Sequence, residues 1–152
     1  MFNHPQRKSS LPPFYVFKNL QPFHEKTKPI KIMIIDDNKK DADLAQDLLV
    51  DQSHFQFHFS YYRNPKEAIQ QLQTREHPDL ILLDFVMPCM NGGTVLKTLK
   101  ETVSTQNIPV IIHSSMNNYE TIQKTNMLQA HSFFAKPLNV GYFEKFLLNQ
   151  PF

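Results

Sequence analysis

The stretch "LILLDFVMPCMNGG" occupies residues 80–93. Four aliphatic residues run straight into Asp84, and a Pro and two Gly follow within ten positions. A strand buried on both faces has no place for a carboxylate. Asp84 therefore belongs where the strand stops and a loop opens, and open α/β sheets put their chemistry at such strand ends.

Working outward, the chain from Pro29 onward alternates regularly. "IKIMII" (30–35) reads as a strand ending at Asp36-Asp37, and "FQFHFSYY" (55–62), "LILLDF" (80–85), "IPVIIHSS" (108–115) and "HSFFAK" (131–136) read as four more. Between and after them lie helical patterns: "DADLAQDLLVD" (41–51), a segment opened by Asn64-Pro65 and carrying Ala68, Ile69 and Leu72, "GGTVLKTLKETV" (92–103), "NYETIQKTNMLQ" (118–129) and "VGYFEKFLLN" (140–149). In the first helix Leu44, Leu48 and Leu49 are expected to form the core-facing stripe. Continuous aliphatic strands such as "LILL" fit a parallel sheet covered on both sides. Right-handed crossovers then give a doubly wound, five-stranded parallel sheet in a three-layer α/β/α sandwich.

Composition agrees with one ordinary domain. The chain has 152 residues, 41% of them hydrophobic and 20% charged, with a net charge of +2 that is too small to argue for nucleic acid. The charge is unevenly spread: residues 1–29 carry five Lys/Arg against one Glu, whereas residues 30–152 carry eleven against thirteen Asp/Glu. Residues 1–29 also hold five of the eleven Pro together with Phe2, Phe14, Tyr15, Phe17 and Phe23, without helix or strand periodicity. They read as a flexible basic and aromatic leader, or alternatively as a docking segment, ahead of a domain over 30–152. A single Cys, Cys89, excludes an internal disulfide. With no apolar run long enough to span a bilayer and no secretory signal pattern, the expected location is cytoplasmic.

The polar residues at the strand ends converge on one edge of such a sheet: Asp36 and Asp37 after the first strand, Asp84 after the third, Ser114 and Ser115 after the fourth, Lys136 after the fifth. Three carboxylates in one small site repel unless a cation neutralises them. Hard oxygen donors without His or thiolate favour Mg²⁺. A carboxylate can also attack phosphorus and become an aspartyl phosphate, whose oxygens a Lys ammonium and a Ser hydroxyl are suited to hold. Asp84, on the central strand, is the best nucleophile; Asp36 and Asp37 are the best metal anchors.

These segments resemble the receiver domain of bacterial two-component response regulators. The matches are "IIDD", "LLDFVMPCMNG", "PVIIHSS" and "FFAKP", with 47 residues from Asp37 to Asp84, 30 more to Ser114 and 22 more to Lys136. The resemblance implies a flavodoxin-like fold in which Asp84 accepts a phosphoryl group from a histidine kinase or a histidine phosphotransfer protein. Asp36, Asp37, Asp84 and the Val86 backbone carbonyl would bind Mg²⁺. Ser114 and Phe133 would act as the switch pair, Lys136 would pair with the phosphoryl group, and Pro137 would follow a cis bond. Such a protein is not an enzyme beyond its own phosphorylation and dephosphorylation. The chain ends soon after the fifth helix, so a stand-alone receiver is expected, signalling to a protein target through residues Asn117–Phe152, without direct contact to nucleic acid.

The chain departs from the commonest family pattern in places. Phe133 lacks a Tyr hydroxyl, Gln129 stands where Gly is usual, and Val86 and Met116 are apolar where the path of attacking water is expected. Two other readings compete. A phosphorylation-independent interaction module would keep the fold without the chemistry. A small Mg²⁺-dependent phosphohydrolase of the haloacid-dehalogenase type would need an Asp two residues after the nucleophile, where Val86 stands. Asp36-Asp37 could also simply cap the first helix. His113 reads as a packed strand residue and Cys89 as an incidental loop residue.

Overall fold

The alternation of strands and helices is present in full. The computed structural model describes residues 28–74 and 76–151, so the leader lies almost wholly outside the described residues. The order is β1 (Ile30–Ile35), α1 (Lys39–Gln52), β2 (Phe57–Tyr62), α2 (Pro65–Gln71), β3 (Leu80–Leu83), α3 (Gly92–Glu101), β4 (Val110–Ser114), α4 (Tyr119–Met127), β5 (Ser132–Ala135) and α5 (Val140–Leu147). The five strands form one parallel sheet in the order β2-β1-β3-β4-β5. β3 is central, and all four of its residues are buried.

Strand periodicity divides the core into two layers. Met33, Ile35, Ile81, Leu83 and Ile112 face α2 and α3, where Ala68, Leu72, Val95, Leu96 and Leu99 cover them. Ile32, Ile34, Leu82 and Ile111 face α1 and α5, where Ala45, Leu49, Phe143 and Leu147 cover them.

α1 corrects one expectation. Its buried residues are Ala42, Ala45 and Leu49, whereas Leu44 is 47% exposed and Leu48 only part-buried. Two alanines let the helix lie close to the sheet, so its inner stripe runs through small residues at i, i+3 and i+7. Leu44 and Leu48 both fall to the same side of that stripe, while Leu49 lies on it.

Asparagine opens each helix among the described residues. The side chains of Asn38, Asn64, Asn91, Asn118 and Asn139 each accept a hydrogen bond from a backbone N–H in the first turn. Each cap contributes about 1 kcal/mol by satisfying a donor that the helix cannot pair internally. Asn38, not the Asp36-Asp37 pair, therefore caps α1.

α4 ends in a Schellman turn. Ala130 N–H donates to the Thr125 carbonyl (3.0 Å) and Gln129 N–H to that of Asn126 (2.9 Å), with Gln129 at φ 65°. A side chain in this left-handed conformation is strained relative to glycine. Gln129→Gly is expected to raise stability by about 1 kcal/mol, read as a higher urea midpoint at unchanged slope.

Candidate functional site

The register of the sheet builds the site. Ile35 pairs with Leu83, so Asp36 and Asp84 leave the sheet side by side, and the Asp84 N–H donates to the Ile35 carbonyl at 2.8 Å. Asp37 completes an acidic group in which one oxygen from each carboxylate lies within 4.8 Å of the others. Ser114 pairs with Ala135, so Lys136 emerges beside them. The strand ends thus bring Asp36, Asp37, Asp84, Ser114 and Lys136 to one edge.

Each side chain is held by local backbone. Asp36 Oδ1 accepts from the Asn38 N–H (2.9 Å) and Asp84 Oδ1 from the Val86 N–H (3.2 Å). The Tyr61 hydroxyl donates to the Asp36 carbonyl at 2.9 Å, and Ser114 Oγ accepts from the Met116 N–H at 3.2 Å. α3 begins directly under the Asp84 loop, where Gly92 N–H donates to the Phe85 carbonyl at 3.1 Å.

Lys136 is the cation of the site. Its Nζ lies 2.8 Å from Asp36 Oδ2, 2.9 Å from Asp41 Oδ2 and 3.4 Å from Asp84 Oδ2. Burial pulls the ammonium's pKa down, but its hydrogen bonds to Asp36 and Asp41 outweigh this and hold it above its ordinary value. Asp36 and Asp84 are only 2% and 5% exposed. Burial raises both carboxyls above the usual range despite the nearby ammonium. Buried, crowded hard oxygens of this kind fit a divalent cation such as Mg²⁺, which takes carboxylate ligands and relieves their repulsion.

Asp41 is the member that sequence reasoning missed. It sits in the first turn of α1, where an acidic residue is already accounted for by the helix dipole. Nothing along the chain signals its reach to a lysine 95 residues away.

The remaining candidates lie around this cluster. Phe133 is part-buried against the α2–α3 side of the core. Val86 and Met116 are 47% and 45% exposed. The Lys136–Pro137 peptide is cis. His113 is buried with no partner at Nε2 among the described residues, and burial, with Lys136 nearby, pushes its pKa down to about 4. It is a neutral packed residue, and Cys89 is exposed in the loop.

The profile of the response regulator receiver domain family matches residues 32–146. The chain belongs to this family. The receiver is 34% identical over 110 residues to sporulation initiation phosphotransferase F of Bacillus subtilis, covering 72% of this chain and 84% of that protein. It is 31% identical over 114 residues to two-component response regulator ORR1 of Oryza sativa subsp. japonica, covering 71% of this chain but only 49% of the plant protein. Among solved structures, the phosphorylated cyanobacterial phytochrome response regulator RcpA superposes with a TM-score of 0.65 at 28% identity, over 78% of this chain and 89% of the other. The Mn²⁺-bound form of response regulator Rcp1 does so at 0.64 and 26% identity, over the same shares. The receiver is thus a phosphorelay signalling domain of a family in which phosphorylation on Asp and dependence on Mg²⁺ are typical. Among its described residues no helix is long and apolar enough to cross a membrane.

Proposed function

We propose that Asp84 is the phosphoacceptor of this receiver, charged by a histidine kinase or a histidine phosphotransfer protein. The observation that carries this reading is the placement of Asp84. It lies at the end of the central strand, flanked by Asp36 and Asp37 and 3.4 Å from the Lys136 ammonium. Asp36, Asp37 and Asp84, with the Val86 carbonyl, would hold Mg²⁺, which supplies charge neutralisation for an incoming phosphoryl donor. Asp84 offers an oxygen to phosphorus, the P–N bond of the donor's phosphohistidine breaks and its imidazole leaves, and Lys136 balances the charge gained. Ser114, at the end of β4, turns its hydroxyl to a phosphoryl oxygen. Phe133, on the adjoining strand β5, repacks with it. A few groups responding to one added phosphoryl group make the two-state element of a phosphorylation switch.

The surface that reports the switch is the region Asn117–Phe152. Tyr119, Met127, Tyr142 and Leu148 are each more than 60% exposed there, an apolar display suited to a protein target. Both alternatives are weaker. The hydrolase reading lacks an acid/base at Val86, and the interaction-module reading leaves the buried acidic cluster and its lysine without a purpose.

The direct test is titration with beryllofluoride and Mg²⁺, followed by NMR. Saturating shifts at Ser114 and Phe133, absent in Asp84→Asn, are expected; no change in the unmodified receiver would leave the interaction module as the better reading. The exposed apolar side chains of Val86 and Met116 offer no hydrogen bond to an attacking water. The phosphorylated form is therefore expected to persist for minutes or longer after the donor is removed. Decay within seconds would contradict this.

A further inference from the structure

We propose that Asp41 is a positioning residue that holds the Lys136 ammonium away from Asp84 until a phosphoryl group arrives. The inference deepens the reading of Asp84 as acceptor and rests on it for its functional meaning.

The geometry is unequal. Lys136 Nζ donates hydrogen bonds to Asp36 Oδ2 at 2.8 Å and Asp41 Oδ2 at 2.9 Å, while Asp84 Oδ2, at 3.4 Å, is a longer and weaker contact. The Lys136 side chain is only 10% exposed, so water does not compete strongly for its three donors. Two carboxylates outside the acceptor thus hold the ammonium at rest.

The two restraints differ in how easily they are released. Asp36 is buried, and its other oxygen is engaged by the Asn38 N–H at 2.9 Å, so it has nowhere to turn. The Asp41 side chain is 37% exposed, so water can take over its carboxylate when the lysine leaves. Its own helix does not need it as a cap, because Asn38 fills that role. A phosphoryl group on Asp84 turns a carboxylate into an acyl phosphate dianion, a net gain of about one negative charge, and brings three strong acceptors toward the ammonium. The ammonium then gives up Asp41, the more readily replaced partner, and keeps Asp36. Asp41 thereby sets how much of the phosphoryl group's attraction is spent on releasing Lys136.

Removing the restraint should strengthen binding of a phosphoryl mimic. For Asp41→Asn the expected gain in beryllofluoride affinity is about fivefold, the worth of one charge-assisted hydrogen bond discounted for exposure. Asp41→Glu, which restores the carboxylate, should return affinity toward the unmodified value. In the Lys136→Ala background, Asp41→Asn should change nothing, because the bond it removes is already absent. A second readout needs no metal and no mimic: in the metal-free protein, the ¹⁵N resonance of the Lys136 ammonium should move in Asp41→Asn.

Unchanged or weaker mimic binding in Asp41→Asn would overturn the proposal, as would an equal effect with and without Lys136. Should the unmodified receiver take up no beryllofluoride at all, the acceptor reading fails, and the Lys136 resonance still decides whether Asp41 restrains the ammonium.

Discussion

Gly92→Ala is expected to destabilise the receiver by about 3 kcal/mol, at the upper end for overpacking, and to disturb the acceptor loop. A Cβ at position 92 would lie 2.5 Å from the Asp84 carbonyl oxygen, 2.6 Å from Phe85 Cα and 2.9 Å from the Phe85 carbonyl oxygen. All three are backbone atoms, so no side chain can rotate out of the way. Either α3 lifts off the loop or the loop moves, and the Gly92–Phe85 hydrogen bond is strained in both cases. Because the crowded atoms belong to Asp84 and its neighbour, phosphorylation should suffer beyond the stability loss. Gly141→Ala is the contrasting control. Its Cβ would meet nothing closer than 3.5 Å, and a helical Gly→Ala change without strain should stabilise by about 0.5 kcal/mol. Urea unfolding of the two variants should therefore shift in opposite directions. A Gly92→Ala protein with unchanged midpoint and unchanged phosphorylation would show that the loop yields freely.

Mg²⁺ should stabilise the receiver strongly near neutral pH and little in acid. Burial holds the Asp36 and Asp84 carboxyls above their ordinary value of 3.8 in the folded state. The folded protein therefore keeps those protons longer than the unfolded chain does. Stability in the absence of metal falls as pH rises from about 3.8 through the folded values, because the ionised pair is penalised only in the fold. Mg²⁺ binds the ionised form, so its contribution grows across the same window. At a concentration ten times its dissociation constant the gain is about 1.4 kcal/mol. Thermal melts with and without Mg²⁺ across that pH range give the test. Asp84→Asn should raise metal-free stability near neutral pH, by removing one buried ionised carboxylate, while reducing the gain from Mg²⁺. A Mg²⁺ effect of the same size at all pH values would contradict the coupling of metal to these carboxyls.

Much of this site was legible because strand ends are a one-dimensional signal. An aliphatic run that stops at a polar residue marks the sheet edge, and parallel topology brings those stops together. Asp36, Asp37, Asp84, Ser114 and Lys136 were found in this way. Asp41 was not, because it belongs to a helix, and its carboxylate meets Lys136 only through the angle at which α1 crosses the sheet. The α1 stripe was misread for a related reason. Periodicity identifies a face, but bulk does not say which face: Ala42 and Ala45 admit close packing where Leu44 would hold the helix away. The tight approach at Gly92 was also invisible, since "GGTVLKTLKETV" reads as a helix opening on two glycines and does not say which of them lies against the backbone. Gln129 stands where the family usually has Gly, and its φ of 65° is the backbone conformation that Gly adopts most readily.

The central claim is that Asp84 takes a phosphoryl group in a Mg²⁺-dependent reaction. Its most direct test is the intact mass of the receiver after incubation with acetyl phosphate and Mg²⁺, beside Asp84→Ala and a chelator control. A gain of about 80 Da, one phosphoryl group, is expected, and it should disappear in both controls. No gain in the unmodified receiver, or the same gain in Asp84→Ala, would contradict that claim.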